Sequence, residues 1–466
     1  MTGTIDLPGF DNRGKVAICD GKVLRRISSD YRDRALELLK LSETHKLSEL
    51  GFVPASINRN DDVLVIEHPL YPITFPYEWP SLALKEAALF HLKLLQELDA
   101  RGLTLKDCLP ENVLFEGGQP RFVDFLSLVR TQNLPEEAWL EDHAKASPCL
   151  RTRILRDMFE HHFLIPLLAY EAGMPDLARM ILRSRACRMT VRRFHMQDLV
   201  RACPRLKLPT LLYRITRYLM AVRKRPPESY ARLAKLVASI SLENSSGYAS
   251  YYKDKDEDFE FARRELWKDK QASVHDALEQ LGGTLIYDLG ANTGWYSRLA
   301  AHNGARVVAT DVDEATLNAF FMDNAKGNSG ITIVKCSWAD LTMRTGFDGS
   351  TCQSNAYFSS LLDRHQPDTI MMLGLIHHLT LGEGRSLSSV FSLLADNCKR
   401  GAVVEFVALD DALIASNPSY FENINIWNSG NFNLEVAVST AEQYFDEVKL
   451  LRSHPDTRTI MLLVRS

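Results

Sequence analysis

Apolar and polar positions divide the chain into stretches of different rhythm. Residues 14–67 mix short strand-like runs (Lys15–Cys19, Lys22–Ile27, Val63–Glu67) with one helical stretch, Tyr31–Leu50, where Leu36, Leu39, Leu47 and Leu50 recur near helical spacing. The proline-rich piece Pro69–Pro80 breaks regular structure and reads as a connector. Ser81–Ala100 predicts a second amphipathic helix, with Leu84, Ala88, Leu92 and Leu95 on one stripe. From about Leu134 to Ser241 the pattern is almost wholly helical. The small polar run Glu243–Ser250 (ENSSGYAS) marks a domain boundary. Beyond it, short apolar strands (Thr284–Leu289, Arg306–Asp311, Ile331–Cys336, Thr369–Gly374, Ala402–Val407) alternate with helical patterns. Such alternation predicts a parallel sheet covered on both faces.

Length and composition narrow the classes. The 466 residues, 45% apolar, suffice for several packed cores. The longest apolar runs, Phe163–Tyr170 and Thr369–Ile376, fall far short of the roughly 20 residues of a spanning helix. The first residues show no basic segment followed by an apolar one, so a cytoplasmic protein is expected. The eight cysteines are scattered without a C-x-x-C pair, which suits reduced thiols better than disulfides or zinc. The net charge of −4 hides an asymmetry: Arg151–Lys235 holds 19 Lys+Arg against 6 Asp+Glu. That segment suits an anionic glycan, a phosphorylated ligand or peripheral contact with a membrane surface, or is simply a solvated helical face. No RNP pattern, zinc finger or helix-turn-helix spacing accompanies the charge, which speaks against nucleic acid.

The motif carrying most chemistry is Leu285-Ile-Tyr-Asp288-Leu-Gly290-Ala291-Asn292-Thr-Gly294-Trp-Tyr-Ser. An apolar strand ends in an acid, and two glycines flank a tight turn that opens a helix, where the backbone must bend sharply and approach a ligand. Asp311 ends the next apolar strand, a position suited to ribose hydroxyls. The pattern D-x-G-x-N-x-G, rather than G-x-G-x-x-G, resembles the class I S-adenosylmethionine-dependent methyltransferases. That resemblance implies a Rossmann-like seven-stranded sheet ending in an antiparallel hairpin. It makes Gly290, Ala291 and Gly294 the floor under the methionine part, with Asp288 and Asn292 in the same motif. It gives Asp311 the ribose and Asp340, in Ser337-Trp-Ala-Asp340-Leu, the adenine. It also brings Gly374, at the end of the fourth strand, to the sulfonium and the acceptor.

His377 and His378 follow Gly374, and either is a candidate base for an acceptor hydroxyl because imidazole titrates near neutrality. A histidine there can equally cap the strand or line the cofactor pocket. Glu405, ending the fifth strand, is a second candidate, with Asp410 and Asp411 behind it. The runs G-L-I-H-H-L, V-E-F-V and R-T-I-M-L-L look more narrowly like the host-specific nodulation-type methyltransferases, which leaves the acceptor open.

A second motif lies in the N-terminal half. Leu105-Lys-Asp107-Cys-Leu-Pro-Glu-Asn112-Val-Leu-Phe, followed by Pro120-Arg-Phe-Val-Asp124-Phe-Leu126, looks like the catalytic core of a protein-kinase-like fold. In that resemblance Asp107 orients the attacking hydroxyl, and Asn112 and Asp124 hold magnesium against ATP phosphates. Leu105-Lys106 replaces the usual His-Arg, and Leu126 replaces a glycine. Arg26 takes the place of the strand-three lysine, with Glu37 or Glu43 as its partner, and these departures fit a pseudokinase or a divergent small-molecule kinase.

The whole then reads as an α/β protein: a divergent α+β kinase-like domain (1–133), a basic helical segment (134–245) and a methyltransferase domain (246–466). The leading expectation is methyl transfer to a hydroxyl of a glycan or small polar metabolite. The alternatives are a bifunctional kinase–methyltransferase acting on a surface polysaccharide, and a pseudokinase-type module delivering an anionic polymer to the methyltransferase.

Overall fold

The computed structural model describes residues 5–7, 13–137, 150–183, 226–242, 261, 263–325, 330–342, 360–417, 421 and 431–465. Most of the basic segment's charge, between residues 184 and 225, lies outside them. The chain divides into two compact units between Asn244 and Ser245. Among the described residues no helix is long and apolar enough to cross a membrane.

The first unit opens with β1 (Ile5–Leu7), β2 (Gly14–Cys19), β3 (Lys22–Ile27), β4 (Ser56–Asn60) and β5 (Leu64–Pro69), an antiparallel sheet in the order β1-β2-β3-β5-β4. The predicted helix over 31–50 is Arg32–Thr44 followed by a separate turn, Leu47–Leu50. Lys46 and Gly51 on either side of that turn take left-handed backbone, which a continuous helix cannot contain. Helix Ser81–Asp99 buries Leu84, Ala88, Leu92 and Leu95. Two short pairings follow, from β6 (Leu103–Leu105), β7 (Val113–Glu116), β8 (Gln119–Phe122) and β9 (Leu128–Arg130): β6 with β9, and β7 with β8 as a hairpin. Helix Pro226–Ala238 packs on Ser81–Asp99. Lys85 Nζ fixes its end by donating to the carbonyls of Ala238 (3.0 Å) and Ile240 (2.8 Å).

The second unit is built on β10 (Leu285–Leu289), β11 (Arg306–Asp311), β12 (Ile331–Lys335), β13 (Thr369–Met372), β14 (Gly401–Val407), β15 (Glu447–Arg452) and β16 (Arg458–Val464). They form one sheet in the order β12-β11-β10-β13-β14-β16-β15. The first five are parallel, and β16 runs antiparallel to both neighbours. Alternate side chains go to opposite faces. Tyr287, Leu289, Val308, Met372, Val404 and Phe406 pack in one core with Val390, Phe391 and Leu394 of helix Leu387–Asn397. Helix Asp269–Leu281 contacts β14, β15 and β16 and buries Val274, Ala277 and Leu278. The strand order reverses between β10 and β13, and in open α/β sheets a ligand crevice lies outside the carboxyl ends at that point.

Candidate active site

The turn after β10 follows directly from its residues. Gly290 and Gly294 hold φ of +77° and +84°, and Asn292 holds +52°. Asparagine tolerates this left-handed region better than most side chains, and here its Oδ1 accepts the Thr293 N–H at 2.7 Å. That accounts for asparagine in place of the middle glycine. The N–H groups of Gly290 and Ala291 both donate to the Thr310 carbonyl at 2.9 Å, which ties the turn to the end of β11. A side chain on Gly294 would overlap the buried Phe320 ring.

Asp311, at the tip of β11, is held by the same turn. Its Oδ2 accepts from the Asn292 N–H (2.8 Å), and its Oδ1 accepts from those of Val312 (2.7 Å) and Asp313 (3.0 Å). Burial raises its pKa, while these backbone donors oppose the rise. The residue as a whole is partly exposed. Asp288 is 2% exposed and accepts from Ser297 Oγ at 2.6 Å, and burial pushes its carboxyl up to about 6. Its place is thus beneath the turn. Asp340, the expected adenine contact, caps a helix. Its Oδ2 accepts from Ser337 Oγ (2.8 Å) and closes a reciprocal cap on the short helix Trp338–Leu341.

Gly374 follows β13 with φ +64°, and a Cβ there would lie 3.5 Å from Glu405 Oε2. Glu405 on β14 is fully buried. It accepts from Lys270 Nζ (2.8 Å) through Oε2 and from Ser453 Oγ (3.0 Å) through Oε1. A carboxylate so engaged is placed to orient a cation rather than to remove a proton.

The two histidines separate as well. His377 is 2% exposed, and among the described residues neither ring nitrogen has a hydrogen-bond partner. Burial, with the adjacent His378 and the charge of Arg458, pulls it down to about 2. Its ring is neutral at physiological pH. His378 is partly exposed, is lowered by burial, and lies 4.2 Å from the His377 ring centroid. Asp411 is bound by Arg458 through two contacts (2.8 and 3.1 Å) and by Thr457 Oγ1 (2.7 Å), which hold its carboxyl well below the usual range despite burial.

In the first unit, Asp107 is 7% exposed, and its Oδ1 accepts from Asn112 Nδ2 (2.8 Å) and Ser127 Oγ (3.1 Å). Asp124 faces a guanidinium at 3.7 Å, but it belongs to Arg25. Arg26, the residue expected at that place, is exposed while Arg25 is buried, because neighbours on a strand point to opposite faces. Glu37 pairs with Arg34 and Arg130 instead.

No protein-family model matches the chain. It is similar to nodulation protein NoeA of Rhizobium meliloti (strain 1021), 27% identical over 432 residues that cover 89% of this chain and 88% of that protein. A shorter similarity, 33% over 103 residues, is to the cypemycin N-terminal methyltransferase of a Streptomyces species and covers 22% of this chain and 40% of that one. Among solved structures, magnesium protoporphyrin IX methyltransferase from Synechocystis PCC 6803 matches 42% of this chain and 81% of its own at 19% identity and a TM-score of 0.27. WbdD matches 48% of this chain and 43% of its own at 16% identity and a TM-score of 0.30. At such scores neither structure bears on function. The order and direction of the seven strands in the second unit, with one strand antiparallel to both neighbours, agree with the sheet that the sequence resemblance implies.

Proposed function

We propose that the second unit binds S-adenosylmethionine and transfers its methyl group to a polar acceptor, a hydroxyl of a glycan or small metabolite. The observation that carries this reading is Asp311, fixed by three backbone N–H groups beside a bare glycine turn at the point where the sheet order reverses. The residues present suit the cofactor. Gly290 and Ala291 offer close backbone approach, and the Asp311 carboxylate offers acceptors for two ribose hydroxyls. The similarity to a named methyltransferase supports the same reading. When bound, the cofactor supplies an electrophilic methyl on a sulfonium. The protein's part is alignment and exclusion of water, with the acceptor's proton passing to His378 or to solvent. Asp311→Ala should weaken S-adenosylhomocysteine binding by about tenfold or more in calorimetry, through loss of charge-assisted hydrogen bonds. Unchanged binding would refute the assignment. Labelled cofactor incubated with glycan and metabolite extracts would identify the acceptor by mass spectrometry.

A second reading concerns the first unit. The Asp107–Asn112 bond and the Arg25–Asp124 pair support a kinase-like arrangement, yet Asp107 is buried rather than presented to a hydroxyl. We read this unit as a non-phosphorylating binding scaffold. Magnesium-dependent ATP stabilisation that disappears in Asp124→Ala would overturn that in favour of a kinase.

A further inference from the structure

The resemblance of the first unit to a kinase core implies magnesium held by Asn112 and Asp124, and the side chains there do not suit it. Asp107 and Asn112 are tied to each other, with Ser127 on the same Asp107 oxygen. Asp124 already faces a cation. Arg25 Nη1 lies 3.7 Å from Asp124 Oδ1, and Arg25 Nη2 donates to the Val123 carbonyl at 3.5 Å. A guanidinium keeps its charge wherever proteins fold. A divalent ion on Asp124 would stand beside that charge, and like charges brought so close disfavour each other.

The place is shaped around this arginine, which is 8% exposed. Its stem passes β2 at Gly14, where a Cβ would lie 3.2 Å from Arg25 Cγ and 2.9 Å from Leu126 Cδ1. Arg25 Nε is buried without a partner among the described residues. Contacts of 3.5 and 3.7 Å are long for a guanidinium whose whole task is to bind its neighbours. Val23 pairs with His68 across β3 and β5, which puts His68 on the face that carries Arg25. Burial, and then the charge of Arg25, pulls His68 down to about 4, so its ring adds no second cation at neutral pH. We infer that Arg25 takes the place of a divalent cation at Asp124, and that the first unit is a site for ligands bound without metal. This rests on the scaffold reading above and adds the residue that makes the unit so.

The test is Mn2+ binding to the full chain, read by electron paramagnetic resonance, with Asp124→Asn identifying the site. Wild type and Arg25→Lys should bind no ion that Asp124→Asn removes. Arg25→Met should gain such an ion, at least about tenfold tighter than any that wild type holds there. Arg25→Met/Asp124→Asn should lose it again. Thermal unfolding reports whether each variant folds, and Arg25→Gln, which keeps a donor for the Val123 carbonyl, takes the place of Arg25→Met if that variant does not. A folded neutral variant that gains no ion overturns the proposal and leaves the scaffold reading standing. A wild type holding an ion that Asp124→Asn removes overturns both.

Discussion

Two glycines only four residues apart should fail in different ways when each receives one methyl group. At Gly294, alanine would keep a left-handed φ of +84° and place its Cβ against the buried Phe320 ring. The backbone strain is roughly 1–2 kcal/mol, and overpacking adds about 1–3 kcal/mol. Because Phe320 is fully buried on helix Glu314–Asn324, it has little room to yield. At Gly290 the nearest atom to an added Cβ is Leu375 Cδ2 at 3.5 Å, an ordinary contact, so the strain stands alone. For a unit of this size each kcal/mol lowers Tm by roughly 2–4 °C. Gly294→Ala should therefore lower Tm by about 5–15 °C, and Gly290→Ala by about 2–6 °C. Cofactor affinity should show the reverse ranking. The Gly290 methyl stands on the surface the cofactor must approach, and should weaken S-adenosylhomocysteine by about tenfold or more. Differential scanning calorimetry and titration calorimetry on the two variants measure both quantities. Equal Tm losses, or Gly290→Ala with wild-type affinity, would refute the division of labour.

Three further outcomes are expected. Asp288 titrates near 6 in the folded protein against an ordinary 3.8, so the folded state binds the extra proton and stability should fall as pH rises from about 4 to about 6; denaturant titrations of Asp288→Asn should lack that slope. Asp411→Ala takes the carboxylate away from the buried Arg458 and should cost about 3–5 kcal/mol in urea unfolding; a cost under 1 kcal/mol would show that the pair is not closed to water as described. Arg25→Ala should destabilise the chain measurably, whereas the exposed Arg26→Ala should stay within about 0.5 kcal/mol; the opposite ranking would reverse the facing of β3.

The sequence shows the parts of the second unit that depend on local pattern. Its strands are apolar runs bounded by turn residues, and the glycine turn has a spacing that only a few backbone geometries satisfy. What it hides depends on pairing across distance. β4 (SINRN) is exposed at every position and carries no apolar alternation, so only its bonds to β5 make it a strand. Which of Arg25 and Arg26 turns inward is fixed by the register of β3 against β2 and β5, which adjacent arginines cannot reveal. Lys270 resembles any helix-surface lysine until β14 brings Glu405 beneath it. Ser337-Trp-Ala-Asp340, by contrast, did carry its own signal, because serine followed by an acid three residues on is a helix-start pattern.

The Lys85 contacts with Ala238 and Ile240 also set a timetable. They join positions 153 and 155 residues apart, and the helix that covers Ser81–Asp99 is among the last pieces of the first unit to be made. At ribosomal speeds of about 5–20 residues per second, the face that helix Pro226–Ala238 will cover stays open for roughly 8–30 s after it emerges. The first unit is thus exposed to misassociation while the chain is being built. Until residue 240 arrives, keeping that face apart from other chains falls to chaperones or to transient local cover.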